Sequence, residues 1–137
     1  MSGTRSASVL HEHPHARMPT IVTVETPDGT VLESQAISVS RIGLQLEVNE
    51  DAFRRLSARP YPPGNPHCPA LLVRGIVPGR GEACPEFELR VWAHPHIARR
   101  LGADRFRIGL RFDTIEPTLA SRLSNYVRHA AQPGAPA

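Results

Sequence analysis

The chain has no lysine; all 16 of its basic residues are arginine. A biased genomic composition produces such a set. So does anion recognition, because the guanidinium fork pairs with phosphate or a guanine edge through two points. Cysteine is nearly absent too. Cys68 and Cys84 are the two in the chain, neither in a C-x-x-C pair, which excludes a disulfide framework and points to reduced thiols. No apolar run approaches the roughly 20 residues that a membrane helix needs. The opening M-S-G-T-R-S-A-S-V-L lacks the hydrophobic core of a signal peptide. The expectation is a cytoplasmic protein without membrane insertion. There is no internal repeat, no glycine-rich phosphate loop before a helix, no Ser-His-Asp spacing and no paired carboxylates, so no enzyme is expected.

What is present suits one domain with a real core: 137 residues, 40% hydrophobic, with a mild net charge of +3. The 14 prolines are about twice the usual share and imply many loops and little long helix. The organising stretch is Ala36 to Val48, A-I-S-V-S-R-I-G-L-Q-L-E-V. By parity, Ile37 and Val39 share one side of a strand, and Ser38 and Ser40 the other. After a turn at Ser40-Arg41, Ile42, Leu44, Leu46 and Val48 point inward, and Arg41, Gly43, Gln45 and Glu47 outward. This is the period of two half-buried strands around a tight corner. The outer strip carries small hydroxyls, an arginine and a glycine where a flat ligand can approach closely. Ser38 and Ser40 also fit ordinary solvated strand and turn positions.

In chain order, residues 1–16 read as a flexible segment. Its histidines at 11, 13 and 15 sit on a proline-containing stretch with no matched partner spacing, so a mobile tail is expected rather than a metal site. Arg17 directly precedes the first strand, Thr20 to Thr26. Pro27-Asp28-Gly29-Thr30 supplies turn chemistry, and Val31 to Val39 returns, its polar middle Glu33-Ser34-Gln35 suggesting an edge or a bulge. Asn49 can cap a short helix with Phe53 and Leu56 on its buried side. Pro60 to Pro69 is a loop, in which adjacent His67 and Cys68 point apart. Ala70 to Val77 is a fourth strand. Phe87, Leu89, Val91 and Ala93 alternate along a fifth, with Trp92 on the polar side, either an edge residue or a stacking platform for a base. His94 to Asp104 reads as a loop. Arg105 to Phe112 alternates most cleanly, with Arg105, Arg107, Gly109 and Arg111 outward. From Glu116 the period changes to helical, with Leu119, Leu123, Tyr126 and Val127 in one stripe. Residues 17–131 then make a mainly all-β domain, and 132–137 a disordered tail. Six antiparallel strands and one amphipathic helix bury their apolar faces best as a barrel closed by the helix.

Three places give this arrangement a resemblance to the PilZ domain, running from Arg17 to Arg128. Arg17 stands where that family has the second arginine of R-x-x-x-R. S-V-S-R-I-G at 38–43 stands at its [D/N]-x-S-x-x-G. The ending, V-W at 91–92 followed by R-I-G-L-R-F at 107–112 and a helix, is similar to the family's finish. The resemblance implies a six-stranded antiparallel PilZ-type β-barrel with a C-terminal α-helix, which binds the bacterial messenger cyclic di-GMP on its outer surface. It implies no catalysis, no cofactor and no metal. Arginines would hold phosphates and guanine faces, and the acidic or amide residue with the serine would read a guanine edge. On this chain the ligand-binding set becomes His13, Arg17, Ser38, Ser40, Arg41 and Gly43, with Trp92 as the stacking option.

Two of these depart from the family. His13 stands where it has arginine, and Ser38 where it has Asp or Asn. A histidine, with a reference pKa of about 6.5, is mostly neutral at slightly alkaline pH and lacks the fork. A hydrogen bond to a charged group is worth about 1.5–3 kcal/mol, and a two-point base contact about 1–3 kcal/mol. Together the losses amount to roughly two to four decades of affinity. Two functions follow: a weak cyclic di-GMP effector in second-messenger signalling, or a divergent PilZ adaptor that has lost the nucleotide and docks an unknown protein partner through Trp92 and the arginine strand. Nucleic acid is not an expected partner.

Overall fold

A computed structural model describes residues 15–56 and 70–131. The elements are β1 (Ala16–Glu25), β2 (Val31–Val39), β3 (Gly43–Val48), α1 (Glu50–Leu56), β4 (Leu71–Val77), β5 (Phe87–Gly102), β6 (Arg105–Phe112) and α2 (Pro117–Ala131). The strands close into one antiparallel barrel in the order β1-β2-β3-β6-β5-β4, so every strand has two neighbours and none is an edge. The fold is the expected mainly-β barrel with a C-terminal helix. The expectations for His11, His13, His67, Cys68, the 60–69 loop and the 132–137 tail lie outside the described residues.

The β1–β2 corner forms because its residues satisfy one another. Gly29 takes a φ of 91° that side chains resist, and its amide donates to Thr26 O at 2.9 Å. The Thr26 hydroxyl and the Thr30 amide both donate to the Asp28 carboxylate. These hydrogen bonds, that from Thr26 foremost, hold its pKa below the ordinary carboxylate range. Inside the barrel, alternate positions of all strands meet. Val22, Val24, Ala36, Val39, Leu44, Leu46, Val73, Leu89, Ile108 and Leu110 are all at most 1% exposed. Cys84 is a buried free thiol.

Both helices behave as their sequences require. Asn49 Oδ1 accepts from the Ala52 amide at 2.8 Å, capping α1. Phe53 stacks on Phe106, ring centres 4.3 Å apart. α2 closes one end of the barrel with Leu119, Leu123, Tyr126 and Val127, all buried.

Two expectations are corrected. The span from His94 to Gly102 is the second half of β5, paired with β6, not a loop. Its ladder shifts register between Pro95 and Ile97 and again between Arg100 and Gly102. Each shift resets parity, which is why no alternation is readable there. The strict parity of Ile37 and Val39 also fails, because the β2–β3 ladder shifts between Ala36 and Ser38. Ala36 and Val39 both face the core, and Ile37 and Ser38 between them are half-buried.

The β1–β4 seam is tight. A β-carbon on Gly75 would sit 2.8 Å from Val22 Cγ1 and 3.4 Å from Val22 Cα. Gly75→Ala should therefore cost about 1–3 kcal/mol through overpacking. The readout is a lower urea midpoint at unchanged slope, and an unmoved midpoint would show that the seam yields freely.

Candidate functional site

The strand register brings part of the expected site together. Arg17 on β1 is the Cα partner of Ser38 on β2, and Ser38 is the partner of Gln45 on β3. Paired positions project to the same side of a sheet, and here that side is the outer one. Arg17 is exposed, and Ser38 and Gln45 are half-buried. The Ser38 hydroxyl donates to Gln45 Oε1 at 3.2 Å and lies 3.4 Å from His15 Nδ1. The cluster is thus His15, Arg17, Ser38 and Gln45. His15 lies in the stretch expected to be a mobile tail. Its position immediately before β1 was the available signal, because a residue one step from a strand is held by that strand. Gln45 was already on the outward side of the alternation.

Arg17 is held by its backbone. The Tyr126 hydroxyl donates to Arg17 O at 3.1 Å, and Arg80 Nη2 donates to the same oxygen at 2.9 Å. Arg80 also lies over the Tyr126 ring, 4.6 Å from its centre. The helix therefore fixes the start of β1 and with it the base of the Arg17 side chain.

The bend departs from expectation at two positions. Ser40 is 0% exposed and belongs to the turn, not to the outer strip. Its amide donates to Gly43 O at 2.8 Å, its hydroxyl to the same oxygen at 3.4 Å, and it accepts from the Ile42 amide at 3.2 Å. A serine hydroxyl that bridges its own turn replaces backbone partners and stiffens the corner. Gly43 is also buried, so it is not an open landing place in this conformation. Arg41 alone stands out into solvent at the apex.

Trp92 is elsewhere. It lies on β5, three strands from β2 in either direction around the ring, and is 49% exposed on that opposite wall. This placement sets Trp92 apart from Ser38 around the ring. Trp92 instead lines a groove of about 450 Å³ with Glu88, Arg90, Glu116 and Arg122, between β5 and the start of α2.

Beside Gln45 the outer face continues onto β6. Gln45 is partnered by Gly109, Gly43 by Arg111 and Glu47 by Arg107. Arg105 Nε donates to Glu47 Oε2 at 2.8 Å. That bond lowers the Glu47 carboxyl pKa and raises that of Arg105. Among the described residues, Arg107 Nε is buried with no hydrogen-bond partner. Among the described residues no group of His, Cys, Asp and Glu could hold a metal ion, and no helix is long and apolar enough to cross a membrane.

No family model matches the sequence, and no curated protein does. Among solved structures, the PilZ domain of YcgR from Escherichia coli, determined with c-di-GMP, matches with a TM-score of 0.54 at 12% identity. The match covers 86% of this chain and 88% of that one. This chain has the PilZ fold. The fold of this chain is a six-stranded antiparallel closed barrel with α2 at its C-terminal end. Within this PilZ-type barrel, Arg17, Ser38 and Gln45 form an outward row, whereas Trp92 belongs to a different wall.

Proposed function

We propose that this chain is a non-catalytic cyclic di-GMP-binding module of bacterial second-messenger signalling, acting in the cytoplasm and binding weakly. The carrying observation is the cross-strand pairing of Arg17 with Ser38 on the barrel's exterior, with Ser38 bonded to Gln45. Support comes from the fold, whose solved relative was determined with that nucleotide. The exposed guanidinium can meet a phosphate or a guanine face through two points, while hydroxyl and carboxamide together offer donors and an acceptor to a guanine edge. Binding is weak because Ser38 brings one hydroxyl where a carboxylate would bring two acceptors, and because His13 lacks the fork.

Titration calorimetry with cyclic di-GMP tests this. Binding should be measurable at sub-millimolar to millimolar ligand, strengthen from about pH 7.5 to 6 with His13 as the pH-sensitive substitute for the family's arginine, and fall at least about tenfold in Arg17→Ala. No heat at millimolar nucleotide at either pH would sink the proposal.

A second reading has its own observation. Trp92 is half-exposed in the β5–α2 groove, and among the described residues Arg90 and Arg122 there make no ion pair. Such a surface suits a protein partner, and the chain would then be an adaptor without nucleotide.

A further inference from the structure

We infer that β3 and β6 replace part of the contact missing from the 13 and 38 positions, so that binding is weak but not lost: Gln45 reaches the guanine edge, and Arg107 and Arg111 meet the second phosphate. This rests on the nucleotide reading and deepens it. The outward row Arg17, Ser38, Gln45, Gly109 crosses four adjacent strands, β1, β2, β3 and β6. Strands lie about 4.8 Å apart, so the row spans on the order of 14 Å around the barrel. One cation, Arg17, stands at its β1 end. At its β6 end Gly109 has no side chain, and Arg107 and Arg111 flank it two positions away on the same face.

The two phosphates of a cyclic dinucleotide share one central ring, and the long arginine side chains at the two ends of this row can reach inward to them from both sides. Arg107 is the better prepared of the β6 pair. Its cross-strand neighbour Glu47 is hydrogen-bonded to Arg105, although the Arg107 charge also acts on that carboxylate, and its other neighbour is Arg99, a like charge. Its Nε is sequestered with no acceptor among the described residues. Buried donors are nearly always paired, so an unpaired guanidinium nitrogen beside a second arginine marks a place for an anion. Arg111 lies across from Gly43, and its other neighbour is His94, again not a carboxylate. Gln45 sits in the middle, already bonded to Ser38. Its carboxamide has one acceptor and two donor hydrogens. That is the functionality an Asn at position 38 would have brought. Gly43 and Gly109 are buried, so the side chains around them must swing aside for the ligand to seat.

The test is calorimetry with cyclic di-GMP on the full chain and on Arg107→Ala, Arg111→Ala, Arg111→Lys and Gln45→Ala. Arg90→Ala, on the opposite wall, is the control. Each alanine variant should bind about 10- to 100-fold more weakly. Arg111→Lys should recover only part of the loss, since it keeps the charge without the fork. Arg90→Ala should match the parent. Circular dichroism melts separate loss of binding from loss of fold. A parent that binds, with β6 variants that bind equally well, overturns this inference and leaves the nucleotide reading standing. A parent that does not bind overturns both.

Discussion

Tyr126→Ala is expected to destabilise the protein by about 3–5 kcal/mol, the range for removing a buried aromatic ring, and to lower the melting temperature by roughly 10–25 °C. The ring is 1% exposed and meets Phe87 edge-on, centres 6.4 Å apart. It also supports the Arg80 guanidinium. Its hydroxyl joins the helix to β1 through Arg17 O. Alanine would leave a cavity under α2 and take one of two donors from that carbonyl. Tyr126→Phe separates the contributions: it keeps the ring and should cost only about 0.5–1.5 kcal/mol. Urea unfolding of both variants measures the difference. A loss below about 1 kcal/mol in the alanine variant would mean that α2 does not pack on the barrel as described.

Restoring the family's two missing groups should have the opposite sign and the largest effect on binding. The double variant His13→Arg/Ser38→Asp is expected to tighten cyclic di-GMP by roughly two to four decades, from about 1.5–3 kcal/mol for a charged hydrogen bond and 1–3 kcal/mol for a two-point base contact. Ser38 is well placed for the change. It is half-buried on the outer face, opposite Arg17, so an aspartate there would have a cation beside it before any ligand arrives. That pairing would hold the aspartate ionised, as a guanine-edge acceptor must be. Each single variant should give part of the gain, and the two parts need not add, because both groups would touch one ligand. Calorimetry and equilibrium dialysis read the result. If the double variant is folded and binds no better than the parent, this face does not hold the nucleotide.

Much of the architecture was legible in the chain. Strands of period two and the helix stripe of Leu119, Leu123, Tyr126 and Val127 are local patterns, set by which side of the backbone each Cβ leaves. The β1–β2 turn, the Asn49 cap and β6 carry their instructions within a few residues. Legibility failed where a register shift intervened. Neither the β2 bulge nor the pairing of His94 to Gly102 with β6 leaves a mark on parity until the partner strand is known. The site was half readable for the same reason. Arg17 and Ser38 were found through their spacing to a motif. His15, Gln45 and the unpaired Nε of Arg107 become meaningful only beside their neighbours.

The order of residues alone settled the class of fold, the inward and outward faces of most strands, and the single helix that closes the barrel. Closure of the ring decided the rest. It put Arg17 against Ser38 and joined Gln45 to Gly109. It sent Trp92 to the far wall. Those outcomes belong to pairing between strands tens of residues apart, and no local propensity encodes which strand a given face will find beside it.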